Sequence, residues 1–266
     1  SGYEKRYQRE LSGGEQQRIP DKHKQPEQVA KARTESEGLG GRTAAHVQYG
    51  RAQIRLDRGD TTPSETESQK PAIACRADGT VAVAYQDARA GNDDIYINIS
   101  RDGGVTWKSV DLRVDVGSPA GTNARNPRIA VSNSSPPRIY VAWEDDRNAG
   151  RDLYFSYSSD DATTWSPAVQ LNTNPVSGNF PVESWDLGAT ADQVVVAWSD
   201  NRNGSVSDPR RDVFVRRSTD AGVTFADVDR VDVGTSPGIA DSINVDAVTS
   251  STSFVVTALD FRNDPT

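Results

Sequence analysis

Both histidines of this 266-residue chain, His23 and His46, lie in its first 60 residues. Downstream of them, serine–histidine and cysteine–histidine nucleophiles and histidine-ligated zinc are excluded. Chemistry there falls to carboxylates, arginines and tyrosines. Paired carboxylates can run glycoside hydrolysis, one as acid and the other as base or nucleophile. The candidate catalytic carboxylates are Asp93 and Glu183. The candidate substrate-binding cations are Arg128, Arg125 and Arg76, since a guanidinium can clamp a carboxylate with two parallel bonds. Arg128 and Glu183 could equally close a salt bridge across a channel.

These residues are placed by a repeat. The phrase Ser100-x-Asp102-x-Gly104-x-Thr106-Trp107 returns as Ser158-x-Asp160-x-Ala162-x-Thr164-Trp165 and as Ser218-x-Asp220-x-Gly222-x-Thr224-Phe225, with its Asp at steps of 58 and 60 residues. Val81–Arg89, Ile139–Arg147 and Val194–Arg202 match one another, and a fourth copy starts at Phe254. A fixed period of this size implies stacked supersecondary units. Each unit offers four β-rich runs, near 71–76, 80–86, 94–100 and 106–113 in the first copy, parted by turn residues such as Asp78-Gly79. The expected fold is all-β, a β-propeller of four-stranded antiparallel blades. The first run of each unit should line the central channel, where ligand sites form. Aligned on Pro71, Pro127 and Pro181, the positions that vary along it are Lys70, Arg76, Asn126, Arg128, Glu183 and Asp186. Asp87/Arg89, Asp145/Arg147, Asp200/Arg202 and Asp260/Arg262 recur in every unit, so structural pairing at strand ends explains them better than catalysis. Asp94 recurs as Asp152 and Asp212, whereas Asp93 has no such counterpart.

The phrase resembles the Asp-box, or bacterial neuraminidase repeat, of the sialidase superfamily. Within that resemblance Ser100, Asp102, Gly104, Thr106, Trp107, Ser158, Asp160, Thr164, Trp165, Ser218, Asp220, Gly222, Thr224 and Phe225 maintain the fold rather than catalyse. The resemblance implies a six-bladed parent, of which about 3.5 blades occur in this chain. It places an acid/base Asp in the first blade's loop, where Asp93 lies, and spreads three arginines and a Tyr–Glu nucleophile pair over the blades. The expected function is a sialidase-like, glycan-directed module with an incomplete catalytic set. An active exo-α-sialidase and a non-enzymatic protein-interaction propeller are the alternatives. An incomplete ring could also self-associate.

Residues 1–69 read as a low-complexity or partly helical segment and linker, with a helix near 26–36; residues 1–60 show no blade pattern. Residues 70–266 divide into units 70–124, 125–179 and 180–238 and a partial unit 239–266. Leu11-Ser-Gly-Gly-Glu-Gln-Gln-Arg18 resembles the ABC-ATPase signature, but Pro20 breaks the helix it should open, and no phosphate-binding G-x-x-x-x-G-K-S/T loop exists. Arg18-Ile19-Pro20 resembles the Arg-Ile-Pro motif that precedes the first sialidase blade. Residues 61–266 hold 18 Lys/Arg against 29 Asp/Glu, an acidic balance that argues against nucleic acid and suits a secreted or cell-surface protein. No apolar run could span a bilayer. Cys75 reads as a small core residue. No cofactor is expected, although the Asp-rich loops could hold Ca²⁺ through oxygen ligands.

Overall fold

The computed structural model describes residues 31–37, 42–49, 52–58, 67–148, 150–173, 181–204, 210–232 and 241–261. Three four-stranded antiparallel sheets follow one another along the chain. The first contains β4 (Ser68–Cys75), β5 (Val81–Asp87), β6 (Asp94–Ser100) and β7 (Leu112–Arg113). The second contains β8 (Ala124–Val131), β9 (Ile139–Asp145), β10 (Asp152–Ser158) and β11 (Val169–Gln170). The third contains β12 (Ser184–Ala189), β13 (Val194–Asp200), β14 (Asp212–Ser218) and β15 (Asp229–Arg230). A pair, β16 (Ser242–Thr249) and β17 (Phe254–Asp260), follows. The first strands β4, β8, β12 and β16 lie against one another in chain order, as the inner strands of propeller blades do. Among the described residues there is no helix.

The strand runs are as expected except the fourth. It shrinks to two residues because the repeated phrase, from Ser100 onward, is spent on the hairpin that precedes it. β5, β9 and β13 are rich in Val, Ala and aromatic residues and buried along their whole length, since neighbouring sheets cover both of their faces. Cores between sheets hold Ile97, Ile139 and Trp143 at the first junction, and Phe155, Leu187 and Trp198 at the second.

Each hairpin is clamped by its carboxylate. Thr106, Thr164 and Thr224 each donate a backbone N–H to Oδ1 of Asp102, Asp160 and Asp220 at 2.8, 2.9 and 2.8 Å. Their hydroxyls donate to Oδ2 at 2.6 Å in every copy. Ser100, Ser158 and Ser218 donate to the same carboxylates and accept the N–H of residue 104, 162 or 222. The threonine bonds hold Asp102 and Asp220 down to a pKa of about 2. Their contribution is present above the ordinary value of 3.8 and lost as pH falls toward 2.

Position 104/162/222 has φ of +93, +61 and +84°. Ala162 is therefore strained, but it sits near the left-handed well, and its buried methyl joins the core between the first two sheets. Gly222 docks against the second sheet, where a methyl would meet the Phe155 ring at 2.8 Å. Ile97 occupies the strand position of Phe155 one sheet earlier, so the smaller side chain is matched by the larger turn residue.

The recurrent Asp/Arg pairs are structural. Arg89, Arg147 and Arg202 donate side-chain and backbone bonds to Asp87, Asp145 and Asp200, and lie 4.0, 3.9 and 4.2 Å over Tyr96, Tyr154 and Phe214. Burial alone would raise the pKa of Asp87 and Asp145; the bonds from Arg89 and Arg147 outweigh it and hold both below the ordinary value. Arg262, of the fourth pair, lies outside the described residues.

Three expectations are corrected. The described part of the 26–36 segment is strand β1 (Lys31–Glu37), which pairs with β2 (Arg42–Tyr49) and through it with β3 (Ala52–Arg55). Nor is this region without a blade pattern. Ile54-Arg55-Leu56-Asp57 repeats Leu112-Arg113-Val114-Asp115, 58 residues later. Leu56 is buried against Val81, Val83, Tyr85 and Trp107, and Ser68 bridges Asp57 to Asp87. Cys75 is exposed, because it ends an inner strand at the edge of the sheet. The motifs at 11–18 and 18–20 lie outside the described residues.

We expect Gly222→Ala to lower stability by about 2–3 kcal/mol, combining left-handed strain with overpacking. Ala162→Gly should be nearly neutral, since ~1 kcal/mol of relieved strain is offset by the loss of one buried methyl, ~0.8 kcal/mol. Urea unfolding of the two variants checks both outcomes.

Candidate functional site

The inner strands carry an irregularity near their starts. Two residues oppose one in β4 between Gln69 and Ala72, in β8 between Arg125 and Arg128, and in β16 between Ile243 and Asp246. Within these bulges Lys70, Asn126 and Asn244 take φ of +51, +52 and +56°. A bulge twists the strand and re-aims the side chains beside it. The third sheet lacks it, for Ser184, Trp185 and Asp186 pair in unbroken register with Ser199, Trp198 and Ala197. Pro181 therefore lies before the inner strand and is not the counterpart of Pro127. The residue level with Arg128 is Asp186, and Glu183 stands one position before β12.

A cleft of about 480 Å³ opens at this end of the inner strands. Arg128, Glu144, Glu183, Trp185, Asp186 and Asp246 supply its charged and aromatic wall, and Lys70, Asn126 and Asn244 line it from the bulges. β16 is tied to β12 across the cleft floor. Val245 N–H donates to Ser184 Oγ at 2.7 Å, and Ala247 N–H to Asp186 Oδ2 at 3.0 Å. Trp185 is largely buried; its indole N–H donates to Glu144 Oε1 at 3.0 Å, and the Arg128 guanidinium lies 5.2 Å over its ring. Glu144, itself buried, thereby keeps one oxygen anchored.

The structure brings Arg128 and Glu183 into this cleft with Asp186, Lys70 and Asn126. Asp93 and Arg125 instead meet each other, at 2.7 Å, and neither is among the lining residues. Arg76 does not join them. It follows the far end of β4, where it donates to the carbonyls of Ser132 and Ser134 and pairs with Asp78. The hairpin carboxylates lie at that same far end, since Ser100 pairs with Val81 and Cys75 with Val81. Glu144, Trp185 and Asp246 escaped the sequence reading, as did Arg151 and Arg211, which approach Glu183 from outside the lining. One signal was available for Glu144: it replaces Gln86 and Ser199 at a position of the second strand whose neighbours recur.

Below the cleft, the Asp at the start of each third strand has a partner set that changes as a unit. Asp94 faces Arg113 and Asp115, whereas Asp152 has Gln170 and Asn172 at the corresponding places. Asp115 and Asn172 each accept the N–H of the residue after the Asp. Burial, with repulsion from Asp115, pushes the Asp94 carboxyl up to about 6. Among the described residues no group of three or more His, Cys, Asp or Glu is arranged to hold a metal ion, and no helix is long and apolar enough to cross a membrane.

A family model described as a BNR repeat-like domain matches residues 29–253. The chain belongs to that family. The match begins at 29, which agrees with the sheet found before residue 58. This BNR-repeat chain is similar to an α-L-arabinofuranosidase of Fusarium graminearum, with 16% identity over 68% of this chain and 52% of that one, at a TM-score of 0.45. It is similar to a Hadza microbial sialidase, with 16% identity over 78% and 48%, at 0.44. An α-L-arabinanase of Penicillium chrysogenum, solved with arabinobiose, shows 15% identity over 86% and 75%, at 0.43. The chain thus spans about half the length of the first two. No curated protein sequence matched.

Because Asp94 is raised above its ordinary 3.8, its contribution to stability is full at low pH and is lost as pH climbs through about 6. Asp115→Asn should remove the like charge beside Asp94 while Arg113 stays, lower its titration midpoint and shrink that loss between pH 4 and 6. Carboxyl-carbon NMR titration reads the midpoint directly; an unchanged value would remove Asp115 as a cause.

Proposed function

We propose that this BNR-repeat module recognises glycans in the cleft between the second and third inner strands. The observation that supports it is the lining: an anchored Trp185, four carboxylates and two cations, Arg128 and Lys70, around about 480 Å³. That volume falls in the range of small-molecule pockets. Carboxylates accept hydroxyl protons and the cations donate to ring and hydroxyl oxygens, which is the pairing a sugar needs. The printed names of the similar structures, which include an arabinanase with arabinobiose and a hydrolase with xylotriose, agree with a carbohydrate ligand.

The finer reading, turnover of sialosides, finds little support in the geometry. A sialate carboxylate calls for clustered free arginines, yet Arg125 is taken by Asp93, Arg76 is at the opposite end, and Arg128 stands among acids. Our reading is therefore one of recognition by a glycosidase-type propeller, with a secreted or cell-surface location as its natural setting.

On a mixed glycan array the chain should retain defined oligosaccharides, and Glu144→Gln should reduce that signal at least tenfold while unfolding at the same urea concentration. It should release no fluorophore from a sialoside. Absence of any glycan signal, together with capture of a protein partner through the same face, would replace this reading by an interaction role.

A further inference from the structure

The ion pairs made by three carboxylates of the cleft are open. Arg128 approaches Asp186 at 3.9 Å, Arg151 approaches Glu144 at 3.8 Å and Glu183 at 3.9 Å, and Arg211 approaches Glu183 at 3.9 Å. None is close enough for a direct N–H···O bond, which needs about 2.7–3.2 Å. Other pairs of the same chemistry close fully. Arg147 reaches Asp145 at 2.5 Å, Arg202 reaches Asp200 at 2.6 Å, and even the half-exposed Arg125 reaches Asp93 at 2.7 Å. The side chains of Arg151 and Glu183 make no hydrogen bond to any described residue. Opposite charges are thus held beside one another; Arg211 donates through one terminal nitrogen to Asp241 at 3.1 Å and turns the other toward Glu183.

We propose that these gaps are hydroxyl slots, and that the cleft selects neutral polyhydroxy sugars over anionic ones. This rests on the glycan reading above and names its ligand class. An oxygen placed about 2.8 Å from both ends of a 3.9 Å gap subtends roughly 90° between them, a workable angle for a group that accepts from one side and donates to the other. A hydroxyl has both capacities. A carboxylate has only acceptors, so it would gain the guanidinium and face the glutamate or aspartate unpaired. Arg128/Asp186 forms one slot, Arg151/Glu144 a second, and Glu183 between Arg151 and Arg211 a third. Arg151 serves two of them. Arg151, Arg211 and Glu183 therefore act as specificity-determining residues.

The test is titration of the full chain, followed by amide NMR, with xylotriose, arabinobiose and 3′-sialyllactose, each at 50 and 500 mM salt. We expect one of the neutral sugars to bind with an affinity that salt leaves unchanged, and the sialylated sugar to bind at least tenfold more weakly. Arg151→Gln and Glu183→Gln, both at half-exposed positions, should each weaken the neutral sugar about tenfold or more. A deoxy analogue lacking one slotted hydroxyl should lose about as much in the native chain and nothing further in the matching variant. Tighter binding of the sialylated sugar, affinity that falls with salt, or variants that bind like the native chain would overturn the slots and leave glycan recognition standing. Failure of every sugar, neutral or charged, would overturn both.

Discussion

A carboxylate that accepts two bonds from one threonine and one from a serine holds each hairpin in a left-handed turn, and that turn is what one sheet presents to the sheet before it. Residue 162 enters the core between the first and second sheets, and residue 222 lies on Phe155 of the second. Sheet-to-sheet distance is therefore fixed by atoms that cannot move without breaking the clamp. The same geometry in three copies means that the inner strands meet in a regular fan. The cleft exists because one member of the fan differs. β12 lacks the bulge, and Trp185 takes the place of the two bulge residues that the other strands carry.

The hairpin end and the cleft end divide the labour. At the first, each hairpin carboxylate accepts from its serine and its threonine and titrates low. At the second, opposite charges stand beside one another across gaps of 3.8 and 3.9 Å. Fully satisfied networks rigidify. The Asp/Arg pairs stacked on aromatic rings lie on the second strands between the two regimes. They anchor the strand ends next to the cleft without entering it.

Much of the fold could be read from spacing, since a repeated phrase with alternating apolar residues leaves few architectures open. The third-strand hairpins, the buried second strands and the structural role of the Asp/Arg pairs follow from residue types that recur. The misplaced inner-strand residues trace to register and strand length, which no single residue records. Alignment on Pro181 ignored a bulge that only pairing reveals, and so mismatched Asp186 with its true counterpart Arg128. Arg76 was grouped with the cleft because it follows a first strand, yet eight residues of strand separate the two ends. The sheet before residue 58 was overlooked because it carries no hairpin phrase; the quieter Arg-x-Asp at its last strand was the visible trace. Arg151 and Arg211 sit in turns outside the strands and reach the cleft only through three-dimensional proximity.

The exchange of Arg113 and Asp115 for Gln170 and Asn172 has an evolutionary consequence. Either set is neutral as a whole, but losing the arginine first strands a like charge beside a buried aspartate, whereas losing Asp115 first leaves Arg113 paired with Asp94. Drift at these sites is then open in one order and opposed in the other. Blades descended from one ancestral cassette would keep such pairs as inherited dialects, each internally consistent and poorly mixed with the other.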